Sequence, residues 1–343
     1  MVEFLPRCRC GVDIHAHVVP ENFPKYLASP APQDWPAMAE AQPCHRHVMI
    51  SGKVYRTVSD RAWNTQKRMA DMAEMGLSLQ AISPMPELLS YWMDATPADD
   101  LLRYINDQIA EMMAAATGRL AGLGAVPLQH MDLALAELHR LMQMGFSGVE
   151  LGSNINGRPI GAPEFAPFLA ECESLGACVF VHALRPAGMD RLVGPSALQQ
   201  ILAYPGDVGL AAASCITTNL IERHPRLRIG FSHGGGTLGL LLPRLAEGAK
   251  IFPQLAETLQ APPIEQARKL YFDALVFDQP ALRYLTGLFG DSQVMLGTDY
   301  PFNFHDRTPV ERVLSAFGDP AVQQRLLCDN ALRFLGRPSG DIA

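Results

Sequence analysis

The 343-residue chain has no uninterrupted apolar stretch of about 18 residues, the length a membrane-crossing helix needs. It has no excess of positive charge either. Against 28 Lys and Arg stand 35 Asp and Glu, a formal net charge of −7, so no global basic field would draw nucleic acid or an anionic membrane surface. An acidic substrate would have to be recruited by individual arginines. Only 18% of residues are charged, too few for a disordered chain. Cysteine is scarce and odd in number: Cys8, Cys10, Cys44, Cys172, Cys178, Cys215 and Cys328. Such a scattered set in a chain this long argues against a disulfide framework and suits a reducing compartment. A zinc knuckle at Cys8 and Cys10 would need a second, regularly spaced pair, and none follows. The opening Met1-Val2-Glu3-Phe4-Leu5-Pro6-Arg7 lacks the basic segment and apolar run of a secretory signal. A cytoplasmic protein is expected.

What the chain does have is apolar material, 48% of residues, enough for one large core. It comes in short runs: Val12-Asp13-Ile14-His15, Leu79-Gln80-Ala81-Ile82, Leu120 to Val126, Gly148-Val149-Glu150-Leu151, Cys178 to His182, Arg228 to His233, Leu270-Tyr271-Phe272-Asp273 and Val294 to Gly297. Runs of four to eight residues suit strands buried on both faces. Segments of helical periodicity separate them, among them Trp63 to Met75, Leu101 to Ala116 and Met131 to Met144, with Gly145 and Gly176 where helix C-caps belong. About eight repeats of strand and helix predict a (β/α)8 TIM barrel, with an open doubly wound sheet as the rival. A single domain over 1–343 is expected. One connection breaks the rhythm. Residues 18–62, rich in Pro and polar residues, are far longer than an ordinary loop and read as a lid or binding insertion after the first strand.

Polar residues at strand ends carry the chemistry. In Asp13-Ile14-His15-Ala16-His17, positions i and i+2 share one face of a strand, so His15 and His17 can converge on one ion. His182, His233 and Asp299 each terminate another apolar run. In a parallel barrel all strand C-termini meet at one face, where active sites lie. Five buried polar side chains there need a common purpose or individual partners.

This arrangement, HxH on the first strand, His on the fifth and sixth, Asp on the eighth, resembles the amidohydrolase superfamily. The strings Ser232-His233-Gly234-Gly235-Gly236 and Leu296-Gly297-Thr298-Asp299-Tyr300-Pro301-Phe302, with Gly52 to Arg56 and the Trp63 to Met72 stretch, look like its aminocarboxymuconate-semialdehyde decarboxylase group. The similarity runs from about residue 12 to 335. It implies a non-oxidative decarboxylase of a small muconate-like or aromatic carboxylic acid, acting as a homodimer. One divalent ion, zinc with manganese as the other option, would be held by His15, His17, His182 and Asp299. His233 would be the acid/base, and Arg56 the grip on the substrate carboxylate. Arg244 matches an arginine that reaches in from the neighbouring subunit. The carboxylated lysine of two-metal relatives has no counterpart in Gly148-Val149-Glu150-Leu151-Gly152, so one metal is expected and Glu150 is given a structural role.

The chain departs from the group after the fifth-strand histidine, where Ala183-Leu184-Arg185-Pro186 replaces a Pro-Trp-Asp run. Arg185 is expected near the metal, able to take an additional anionic group. Gly230-Phe231-Ser232-His233-Gly234 also fits the G-x-S-x-G elbow of esterases, but there the HGGG string lies well upstream of the serine, and here the two overlap. Within the superfamily the alternative is a metal-dependent hydrolase or hydratase acting on a lactone, amide or unsaturated diacid.

Overall fold

A computed structural model describes residues 11–28 and 30–338; Cys8 and Cys10 lie outside this range. Eight strands form one parallel sheet in chain order: Gly11–Val18, Leu77–Pro84, Leu120–Gly124, Gly148–Gly152, Cys178–His182, Ile229–Phe231, Tyr271–Asp273 and Val294–Met295. Every strand residue is buried. That explains why the runs are continuously apolar rather than alternating. The last strand returns to the first: Ile14 N donates to the Leu296 carbonyl at 3.0 Å and Asp299 N to the His15 carbonyl at 2.8 Å. An isolated parallel bridge joins Ala16 to Tyr300. The sheet is a closed barrel.

Helices cover its outside. The one expected from Trp63 forms over Thr65–Glu74, its start set by the Asn64 side chain, which accepts from Lys67 N. The one expected from Leu101 begins earlier, at Ala95, and runs to Ala115. Pro97 does not stop it, because amides in a first turn have no carbonyl to bond. Gly145 and Gly176 take positive φ, 84° and 67°, just past helix ends, as their placement predicted.

The insertion has its own architecture. Ala37–Glu40, His45–Ile50 and Lys53–Ser59 make a three-stranded antiparallel sheet. Its second hairpin turns at Ser51 and Gly52, with φ of 53° and 72°, the double positive φ of a two-residue hairpin turn. This sheet carries Arg56 to the barrel mouth.

The sixth and eighth strands end earlier than the apolar runs suggested, at Phe231 and Met295. His233 and Asp299 therefore stand in the following turns, with φ of 54° and 64°. Non-glycine residues seldom adopt this conformation, and where they do the backbone strain commonly marks a functional site.

Candidate metal centre and active site

His15 and His17 leave the first strand on one face, His182 ends the fifth, and Asp299 lies in the turn after the eighth. One ligand-type atom from each of the four lies within 4.8 Å of the others. The hydrogen bonds on the far side of each ring set the tautomers. His15 Nδ1 donates to Asp273 Oδ2 at 2.6 Å, His17 Nδ1 to the Pro84 carbonyl at 3.0 Å, and His182 Nδ1 to the Ala183 carbonyl at 2.9 Å. With the protons on Nδ1, the three Nε2 lone pairs face inward. His15 Nε2 and His17 Nε2 are 3.1 Å apart, and Asp299 Oδ1 is 3.1 Å from His17 Nε2. His182 Nε2 and Asp299 Oδ1 are buried with no hydrogen-bond partner. Buried acceptors converging without a donor are costly unless a cation sits among them. Three imidazole nitrogens and one carboxylate make a donor set for a single divalent metal ion.

Asp273 ties this centre to His233. Completely buried, its Oδ2 accepts from His15 Nδ1 and, at 2.9 Å, from His233 N. Oδ1 accepts from Gly234 N at 2.7 Å and Leu275 N at 3.1 Å. Burial alone would raise its pKa, but the bond from His15 and the other donors hold it below the ordinary carboxylate value. Sequence reasoning missed Asp273, although it ends its strand as His182 ends the fifth. Beside it no side chain fits at Gly297, where a Cβ would lie 2.8 Å from that of Asp273 and 3.1 Å from that of His15. Asp13 does a related job at the barrel seam, accepting from His15 N, Thr298 N, Thr298 Oγ1 and Gln80 Nε2.

His233 joins the histidine cluster from the side, its ring centroid 5.0 Å from that of His182 and 5.5 Å from that of His15. Burial, then the neighbouring His15, lower its pKa to about 4. Glu150 is fully buried beneath the cluster, accepts from Ser83 Oγ at 2.5 Å and is pushed up to about 8 by burial. It stands 3.6 Å from His17 Nδ1, the nitrogen that faces away from the inward lone pairs.

The mouth is aromatic and cationic. Phe302 stacks on His17 with centroids 5.2 Å apart, and the Arg56 guanidinium lies 4.2 Å from the Phe302 centroid. Arg56 makes no ion pair among the described residues. Tyr204 brings its ring within 6.0 Å of His182. Arg185 pairs with Glu87 at 3.0 Å and lies over Trp92. Arg244 is not part of this cluster within the chain. It sits on the exposed side of helix Leu238–Ile251, without an ion pair among the described residues.

An amidohydrolase family model matches residues 12–337. A 2-amino-3-carboxymuconate-6-semialdehyde decarboxylase of Dictyostelium discoideum is 32% identical over 95% of this chain and 91% of its own. The chain belongs to the amidohydrolase family. Among solved structures, this amidohydrolase is similar to the apo IDCase of Metarhizium anisopliae, with a TM-score of 0.81 at 21% identity, covering 95% of this chain and 97% of that one. It is also similar to a manganese-bound dihydroxybenzoic acid decarboxylase of Polaromonas sp. JS666, TM-score 0.74 at 18% identity, covering 95% and 97%. The amidohydrolase is an enzyme of the decarboxylase branch, a metal-dependent carboxy-lyase.

Proposed function

We propose that the enzyme removes CO2 without oxidation from a small acid built on a muconate-like or aromatic frame, with His233 moving the proton. The ion, zinc or manganese, would be held by His15, His17, His182 and Asp299. Bound there, it would polarise a substrate oxygen as a Lewis acid. Arg56, without an ion pair among the described residues and one ring from His17, supports the role of carboxylate grip. The aromatic walls Phe302 and Tyr204 suit a flat, conjugated frame. The dihydroxybenzoic acid and carboxymuconate substrates in the relatives' names are frames of this kind.

The observation that carries the proposal is a partly buried histidine beside the ligand cluster but outside it. The His233 amide is anchored on Asp273, its Nδ1 lies 3.0 Å from Ser232 Oγ, and burial keeps the ring neutral at rest. An anionic substrate raises its proton affinity. His233 then takes a proton from solvent or from an acidic group of the substrate and passes it to the carbon that bears the carboxylate. The C–C bond breaks, its electron pair restores the conjugated system, CO2 leaves, and His233 returns neutral.

The active form is read as a cytoplasmic homodimer. Leu240, Leu241, Ile251 and Phe252, 77%, 43%, 62% and 62% exposed, flank Arg244 on and just after one helix. An apolar face of this kind suits a partner subunit. Arg244 would then complete the carboxylate clamp of the neighbouring site. The test is a panel of carboxylated muconates, hydroxybenzoates and lactones given to metal-replete wild type and His233→Asn. Release of CO2 that the variant loses by about 10²–10⁴, with its metal retained, is the expected result. Ring opening with all carbon retained would instead assign hydrolysis.

A further inference from the structure

Tyr55 and Arg56 are neighbours in the chain, and in a regular strand their side chains would leave on opposite faces. The insertion sheet is irregular at this point. Val48 pairs with Arg56 and Met49 with Val54, so Tyr55 is an extra residue with no partner across the ladder, a β-bulge. Bulges re-aim side chains and are frequent beside active sites. Here the bulge lets both side chains act on one partner, Tyr204. The Tyr55 hydroxyl hydrogen-bonds to the Tyr204 hydroxyl, and Arg56 acts on the same group through its charge.

Tyr204 is fixed from across the mouth. Gln199–Ala203 forms a π turn that leads into helix Tyr204–Thr217. Such turns are rare and frequently mark functional sites. The start of the helix is clamped to the turn that carries His233. Thr237 N donates to the Pro205 carbonyl at 3.0 Å, and a Cβ on Gly236 would lie 1.9 Å from that carbonyl oxygen. Gly236, with a φ of 57°, therefore lets Tyr204 approach His233 closely. The Tyr204 ring centroid is 6.0 Å from that of His182 and 6.4 Å from that of His233. Ala197 and Gln200, from the segment before Tyr204, line one cavity of about 800 Å³ with Arg56 and Phe302. A phenol oxygen accepts up to two hydrogen bonds and donates one. That of Tyr204 accepts from Gln199 Nε2 at 3.4 Å and from the Tyr55 hydroxyl. Its own proton has no acceptor among the described residues.

We propose that Tyr204 is a further substrate-contacting residue, its hydroxyl donating to the carboxylate that Arg56 holds, with Tyr55 as the positioning residue behind it. This rests on Arg56 gripping that carboxylate. The guanidinium comes from the insertion sheet and the phenol from the helix after the fifth strand, so the two donors reach the carboxylate from different elements. A hydrogen bond to an ionised acceptor is worth more than one between neutral groups. Burial holds the Tyr204 proton in place, although Arg56 and the bond from Tyr55 oppose it. The group therefore adds a donor without adding a charge, and it serves acids with one carboxylate and acids with two. Arg185, expected to take an additional anionic group, is already paired with Glu87 at 3.0 Å. The contact is strongest while the carboxylate carries its charge and fades as neutral CO2 departs. Its loss should raise KM and leave kcat within about threefold.

The experiment is calorimetric binding of 2-hydroxybenzoate and of catechol, the same frame with a hydroxyl in place of the carboxylate, to metal-replete wild type and variants. CO2 release from the acid panel is read separately. Tyr204→Phe should weaken 2-hydroxybenzoate roughly tenfold or more and leave catechol binding and metal content within about twofold. Tyr55→Phe should cost a smaller factor, and Tyr55→Phe/Tyr204→Phe should be no worse than Tyr204→Phe, because Tyr55 acts only through Tyr204. Where Tyr204→Phe melts early, Tyr55→Phe carries the test by the same comparison of acid with catechol. Wild type that does not bind 2-hydroxybenzoate, Tyr204→Phe that binds it within about twofold of wild type, an equal loss for catechol, or additive losses in the double variant would overturn the proposal. Arg56→Ala that binds 2-hydroxybenzoate as wild type does would overturn the grip and the proposal with it; failure at Tyr204 with a loss at Arg56 overturns the proposal alone. Binding that follows the expected pattern without CO2 from any acid would leave the contact standing and count against the decarboxylase reading alone.

Discussion

Asp273→Asn changes one atom in a side chain with 0% exposure, and the network around it leaves the amide nowhere to go. Oδ2 receives His15 Nδ1 and His233 N, and Oδ1 receives Gly234 N and Leu275 N. Whichever side the new NH2 takes, it faces two donors. If it faces His15, the imidazole loses the acceptor that keeps its proton on Nδ1, and a proton on Nε2 blocks metal binding. If it faces the Gly234 and Leu275 amides, two buried donors go unpaired, at about 1–3 kcal/mol each. Supporting partners of this kind are worth about 10–100-fold in metal affinity, which is about 1.4–2.7 kcal/mol. Competition against a calibrated chelator measures this directly, with circular dichroism to establish that the variant is folded. A folded Asp273→Asn protein that binds its ion within about twofold of wild type would refute the role given to Asp273.

Three further outcomes follow from the same geometry. Mixing Arg56→Ala with Arg244→Ala protein should restore activity absent from either homodimer, because one site in the mixed dimer has both arginines; mixed dimers that stay inactive would place both arginines in one chain's site. Metal affinity should rise with pH. In the metal-free protein burial would lower the pKa of His15, but Asp299 and Asp273 outweigh it and push it up to about 9. Binding below that pH therefore expels one proton, and log K should climb about one unit per pH unit until about 9; a flat profile would contradict it. Gly297→Ala should lose metal with little change in substrate-arginine contacts, since its Cβ meets Asp273 and His15; unchanged metal content would show that the turn yields.

Much of this site is legible in the chain itself, because a polar residue closing an apolar run must be at a barrel end. His182 fits that rule directly, while His15 and His17, inside the first strand, are legible from their i, i+2 spacing. His233 and Asp299 fit it only approximately. Their positive φ values take them past the last paired residue, and nothing in a non-glycine side chain announces that conformation. Asp273 obeys the rule too, but a lone carboxylate at a strand end carries no spacing signature. The insertion looked like an irregular lid because its prolines dominate the first half. Ser51-Gly52 between His45–Ile50 and Lys53–Ser59 was the hairpin signal in the second. The neutralisation of Arg185 depends on a partner from another barrel connection, which no local pattern reveals.

Decarboxylation by proton delivery to carbon is tested most directly by where hydrogen enters the product. Turnover of an accepted carboxylic acid by metal-replete enzyme in deuterated water, followed by mass spectrometry, should give CO2 and a product carrying one deuterium at the carbon that held the carboxylate. A product that keeps every carbon and gains the elements of water would contradict it.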